Sequence, residues 1–244
     1  MSRLSRRQLI TAAAATTAGL SGLALAARIA DQYGLVPPDH GGPFGLGHTL
    51  TYASQRLLTC HTMAREFSRG EISKAPFANT KPLEDETYQR LQRAGFQDWR
   101  LTIDGLVARP GSVSLAELKR YPVRSQITQL VCEEGWSFIA EWIGVPLFEV
   151  LNRAGIRPNA RYVLYRSMER DWSDGMDMAD ALHPQTLLTL GMNGGDLPGA
   201  HGGPLRIRVP RQLGYKSVKY LTGLTVTDST KGFQAGAYSW YAGI

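Results

Sequence analysis

The sequence predicts an α+β domain of mixed β-sheets and short helices, on two observations. Five stretches read as strands, "WRLTIDGLV", "SQITQLVC", "ARYVLYRS", "LRIRVP" and "LTGLTVTD", and short amphipathic helical segments lie between them. These elements follow no regular βαβ rhythm, and no GxGxxG or P-loop glycine pattern is present, which argues against the doubly wound nucleotide-binding classes. At 244 residues, 43% hydrophobic and 20% charged, the chain is long enough to bury a core and ordinary for a globular protein.

Taken in order, residues 1–26 read as an export signal. A basic start is followed by an uncharged Ala/Leu/Thr run, and Ala24-Leu25-Ala26 is a small-x-small cleavage site. Ser5-Arg6-Arg7-Gln8-Leu9-Ile10 fits the twin-arginine pattern, the route that exports folded proteins into the periplasm; an ordinary secretory signal or a retained anchor is the plainer alternative. Residues 27–72 form an N-terminal extension, rich in glycine and proline to residue 50 and then helical over Thr51–Arg69. Residues 73–244 form the main domain.

Within that domain a helix is expected over Thr87–Gly95. Ser114 and Glu117 make a capping box ahead of Leu115 and Leu118. Pro146 suits the first turn of a helix whose apolar face is Leu147, Val150, Leu151 and Ala154 and which Gly155 stops. Asn193-Gly194 is a hairpin turn.

The formal charge of +6 is partly the signal's. Arg3, Arg6 and Arg7 belong to it, so a chain cleaved after Ala26 keeps 24 basic and 21 acidic side chains, a net of +3. That balance is too mild to argue for a nucleic-acid partner, and no nucleic-acid-binding motif is present.

Cys132, in "QLVCEEGWSFIAEWIGVPL", raises the chemical question. As a hydrolytic nucleophile it is poorly placed, because Glu133 and Glu134 disfavour a thiolate and none of the five histidines stands in a motif with it. No CxxC or HxxxH pattern supports zinc. Three readings stay open: an inert core cysteine, a disulfide with Cys60, and a single protein thiolate on a metal whose other ligands come from an organic cofactor. The last requires a site for an anionic cofactor tail. "HGGPLRIRVPRQLGYKSVKY" carries Arg206, Arg208, Arg211, Lys216 and Lys219 with no acid, and Arg206 and Arg208 alternate with apolar residues so that both leave the core on one face. A solvated basic face is the plain reading of the same run.

The ordered series "CEEGWSFIAEWIGVPLFEVLNRAGI", "ALHPQTLLTLGMNGGDLP", "HGGPLRIRVPRQLGYKSVKYL" and "YSWYAGI" resembles the molybdopterin domain of the sulfite oxidase superfamily, nearest its bacterial periplasmic methionine-sulfoxide reductase branch. That resemblance implies the sulfite oxidase-type fold and a molybdenum-molybdopterin cofactor (Mo-MPT). Cys132 would be the metal ligand and catalytic centre. Arg206, Ser217, Val218 and Lys219 would hold the pterin phosphate, and Asn79, Ser167 and His201 would contact the cofactor.

The implied activity is two-electron oxygen-atom transfer, with sulfoxide reduction, a sulfite-type dehydrogenase and a non-catalytic exported binding protein as the open readings. No haem motif C-x-x-C-H appears, so a membrane b-type cytochrome or a soluble cytochrome would exchange electrons with the metal. The superfamily's dimer-forming second domain finds no room before Ile244, so a monomer is expected. "MERDWSDGMDMADALHP" departs from the branch pattern and is expected at the mouth of the site. Trp136 and Trp142 are candidates for its wall, with core packing the alternative for at least one.

Overall fold

The computed structural model describes residues 45–59, 61–170 and 172–230, with isolated positions at 22, 25 and 233. Nearly all of the export signal, Cys60 and the closing "YSWYAGI" lie outside the described residues. The chain divides into two units, Met1–Cys60 and His61–Ile244. In the first, helix α1 spans Gly45–Thr59. The helix expected over Thr51–Arg69 therefore starts earlier and stops sooner. Residues beyond it are drawn into extended pairing instead. The Gln185 side chain accepts from the Ala64 N–H at 2.7 Å and donates to the Ala64 carbonyl at 3.0 Å, and Phe67 N–H donates to Ile127 O at 2.9 Å. Backbone groups satisfied from across the fold no longer need an intrahelical partner. Among the described residues no helix is long and apolar enough to cross a membrane.

The second unit is built on two five-stranded sheets with short helices. The first sheet runs β2 (Gly111–Ser114), β1 (Arg100–Gly105), β10 (Leu221–Thr227), β5 (Tyr162–Ser167), β6 (Ser173–Asp177), with β1 and β10 parallel and the remaining neighbours antiparallel. The second runs β3 (Arg124–Val131), β4 (Ser137–Pro146), β7 (Leu187–Met192), β8 (Gly195–Asp196), and β9 (Arg206–Arg208) also pairs with β7. All of its pairings are antiparallel.

Local chemistry places the helices. Helix α2 (Glu86–Arg93) begins at Asp85, whose side chain accepts from Tyr88 N–H at 2.9 Å. Ser114 and Glu117 close the expected capping box on α3 (Leu115–Leu118). In α4 (Leu147–Ala154) the buried residues are Leu147, Val150, Leu151 and Ala154, the face read from spacing, and Gly155 ends it at φ +76°. Helix α5 is a single turn, Met178–Ala181. Asn193 and Gly194 both take positive φ between β7 and β8, as the tight hairpin requires.

The main apolar core draws on both sheets and α4, from Leu101 and Val163 to Leu188 and Ile207. A smaller core holds Leu130, Phe138, Ala140, Trp142, Leu187, Met192 and Leu197, with Trp136 packed against its edge. Tyr88, Trp99 and Tyr220 form a third. Cys132 and the basic segment sit beside the second core.

Candidate functional site

Cys132 lies at the end of β3, where a tight turn leads into β4. Its N–H donates to Trp136 O at 2.9 Å, its carbonyl accepts from Gly135 N–H at 3.2 Å, and Gly135 takes φ +91° to close the loop. The thiol is free, 6% exposed, and donates weakly to Glu134 Oε2 at 3.7 Å. The same carboxylate oxygen accepts from Trp136 Nε1 at 2.7 Å. Burial pushes the thiol's pKa up to about 11, and the charges of Glu133 and Glu134 add to it. A thiol in that setting stays protonated at neutral pH, which disfavours a free nucleophilic thiolate; a bound metal ion would reverse this. Among the described residues no three His, Cys, Asp or Glu groups cluster to hold a metal.

The turn opens on a cavity of about 350 Å³. Its walls come from five segments: Phe77–Thr80, Leu130 with Cys132–Glu134 and Trp136, Glu169 and Trp172, His201 with Arg206, and Gly214, Tyr215, Ser217 and Lys219. The cavity thus joins Cys132 to Asn79, His201, Arg206, Ser217 and Lys219. Ser167 and Val218 stand behind the wall. Ser167 Oγ donates to Lys219 O at 2.8 Å and accepts from Glu169 N–H at 2.9 Å, so it sets two lining residues. Val218 buries its side chain in the main core while its carbonyl accepts from Ile207 N–H at 3.0 Å. Neither the Val218 nor the Lys219 N–H meets a backbone carbonyl among the described residues.

Two of the cavity's cations, Arg206 and Lys219, are not ion-paired with its acids. Arg206 is 3% exposed; its two terminal nitrogens donate to His201 O at 2.9 Å and Ser217 O at 2.5 Å, and its Nε is buried without a partner. Burial lowers its pKa to about 10. Lys219 Nζ donates to Asn79 Oδ1, Thr80 Oγ1 and Ala200 O, all neutral acceptors, and burial with the nearby Arg206 charge lowers its pKa to about 8. No carboxylate lies within ion-pair distance of either among the described residues. A buried guanidinium with no carboxylate in ion-pair distance is unfavourable in isolation, and with the half-buried Lys219 beside it fits an anion that arrives with a ligand. Close approach is built in: Gly202 has φ +95°, and a Cβ there would stand 2.7 Å from Lys219 Cβ. His201 packs edge-on against Phe138 at 5.5 Å, and burial with the nearby cations holds its pKa near 4, so it is neutral.

Two members of the basic run serve elsewhere. Lys216 is 2% exposed and paired with Asp174 at 2.7 Å, and Arg211 pairs with Asp180. Arg206 and Arg208 share one face as alternation requires, but that face is buried against Trp142, 5.3 and 5.4 Å from its ring, and is not solvated. Burial across the strand pair decides this, and a lone strand does not reveal it. Trp136 lines the cavity and Trp142 is core. Glu169 and Trp172, in the segment expected at the mouth, do line it. Phe77, Thr80 and Tyr215 were not legible as site residues. The only signal for the first two was their neighbourhood to Asn79.

The family model described as oxidoreductase molybdopterin-binding domain matches residues 88–234. The Azospira oryzae protein named "Putative protein-methionine-sulfoxide reductase subunit YedZ1" is 38% identical over 170 residues, 69% of this chain and 63% of its own. The protein-methionine-sulfoxide reductase catalytic subunit MsrP of Ralstonia nicotianae is 35% identical over 145 residues, 53% of this chain and 44% of its own. This chain therefore spans less than two thirds of the length of either. Among solved structures, the sulfane dehydrogenase SoxCD from Paracoccus pantotrophus superposes with a TM-score of 0.53 at 26% identity, covering 55% of this chain and 39% of that one. Its likeness agrees with the α+β class of mixed sheets and short helices.

Proposed function

Since the chain belongs to the oxidoreductase molybdopterin-binding domain family, we propose that it is a Mo-MPT oxidoreductase that reduces sulfoxides by two-electron oxygen-atom transfer. One observation carries the reading: the buried Cys132 thiol, the buried Arg206 guanidinium and the half-buried Lys219 ammonium face the same cavity, with neither cation in ion-pair distance of a carboxylate among the described residues. Bound there, the molybdenum centre supplies the oxygen-transfer and electron chemistry. The chain's own residues do the rest. Cys132 offers a soft sulfur ligand. Arg206, Lys219, Ser217 and the N–H groups of Val218 and Lys219 would hold the anionic tail, and Asn79 fixes the Lys219 ammonium at 3.1 Å. Phe77, Trp136 and Trp172 would give the reacting end an apolar wall.

Glu133, Glu134 and Glu169 are the acids of the cavity. They favour a neutral sulfoxide over an oxyanion such as sulfite, and so favour the reductase over the sulfite-type dehydrogenase. The balanced reaction consumes a sulfoxide, two electrons and two protons and releases a sulfide and water. The electrons would come from a membrane b-type cytochrome or a soluble cytochrome, and the twin-arginine signal would deliver the protein to the periplasm.

Reduced-dye assays across sulfoxides and N-oxides, set against sulfite with an electron acceptor, test this proposal. Sulfoxide-dependent dye oxidation supports it. Turnover of sulfite alone assigns the dehydrogenase, and no turnover by the metal-loaded protein assigns a binding role.

A further inference from the structure

One buried cation that has no ion-paired acid lies outside the cavity wall. Arg208 is 0% exposed, and no carboxylate is within ion-pair distance of it among the described residues. Its Nη2 donates to Gln129 O at 2.6 Å, on the strand that ends at Val131, directly before Cys132. Its Nη1 donates to Ser217 Oγ at 3.3 Å, and that hydroxyl accepts from Val209 N–H at 3.2 Å. The guanidinium stacks on Trp142, whose ring also lies against Arg206, and its Nε has no partner. A single fork thus ties the strand that carries the thiol to the loop that opens with Ser217. Burial and the adjacent Arg206 lower its pKa to about 9, so the protein without a ligand holds this charge at an energetic cost.

A purely structural tie between Gln129 O and Ser217 Oγ needs only neutral donors. A full positive charge, set beside a second one in a dry core, needs a reason. The anion expected at Arg206 and Ser217 provides it.

We propose that Arg208 is a positioning residue of the cofactor site: it sets the spacing between Cys132 and the Ser217–Lys219 loop, and its charge is balanced only when the anionic tail is bound. This rests on the molybdopterin reading above. It predicts a split that a packing role does not: neutralising Arg208 leaves the ligand-free fold as stable or more stable, while the ligand-bound fold loses stability.

The test uses Arg208→Met, close in length and uncharged, and Arg208→Lys, which keeps the charge and loses the fork. Each is prepared with and without bound Mo-MPT, and thermal unfolding and released-pterin content are measured. In Arg208→Met the bound-minus-free difference in Tm should shrink to roughly half or less of wild type, with pterin retention down about tenfold or more. Arg208→Lys should recover part of both. An unchanged bound-minus-free difference in Arg208→Met, or a fall in Tm equal in both states, overturns the assignment and leaves Arg208 a core-packing group. Should Arg208→Met fail to fold, Arg208→Lys decides: retention and Tm difference both at wild-type level overturn the fork's role. Wild-type protein that carries no pterin at all refutes the molybdopterin reading itself, a separate outcome.

Discussion

Lys219 reaches back across most of the domain to Asn79, its Nζ 3.1 Å from the amide Oδ1. That contact draws the 77–80 segment over the cavity and aims an ammonium whose remaining acceptors, Thr80 Oγ1 and Ala200 O, are also neutral. Lys219→Met removes a counter-charge from the tail, whereas Asn79→Ala removes only an aligning acceptor. Pterin retention should fall more than about tenfold for Lys219→Met and about fivefold for Asn79→Ala, as charge-assisted and ordinary hydrogen bonds differ. Pterin fluorescence after controlled dialysis reads both.

Gly202 makes room for that lysine. Any side chain there meets Lys219 at 2.7 Å and must also adopt φ +95°. Gly202→Ala should destabilise the fold by about 1–3 kcal/mol and displace Lys219, so Tm and pterin content fall together.

Cys132→Ser keeps the shape of the turn, because the Cys132 N–H and carbonyl, and not its sulfur, close the turn. Secondary structure should be unchanged and stability lower by no more than about 1–2 kcal/mol, while sulfoxide-dependent dye oxidation is lost. Circular dichroism and the dye assay separate the two effects.

His201 makes the cofactor-free protein sensitive to acid. Its pKa is near 4 in the fold against 6.5 unfolded, so below about pH 6.5 the unfolded chain gains a proton that the folded one refuses. This contribution is fully present above pH 6.5 and is lost progressively down to about pH 4. His183, its pKa also lowered by burial, adds a slope of the same sign. In urea unfolding across that window, His201→Asn should show a shallower pH dependence than wild type.

Much of this was legible in the sequence, for identifiable reasons. Helix α4 followed from Pro146, Gly155 and an apolar face at helical spacing, all local signals. The pairing of Cys132 with an acid-free basic strand marked both ends of the cavity, which the fold joins. What failed was long-range. The extent of α1 depended on how Gln185 and Ile127 bind backbone far away in the chain. The pairings of Lys216 with Asp174 and of Arg211 with Asp180 needed acids more than 30 residues distant. The solvated-face alternative for Arg208 stayed open because strand alternation gives a face and not its burial.

The most direct test of the central claim is the molybdenum content of the chain matured in a molybdopterin-competent host. The account predicts about one molybdenum atom, with its pterin, per chain. A folded chain free of molybdenum and pterin, from cells whose own molybdopterin enzymes are loaded, would contradict it.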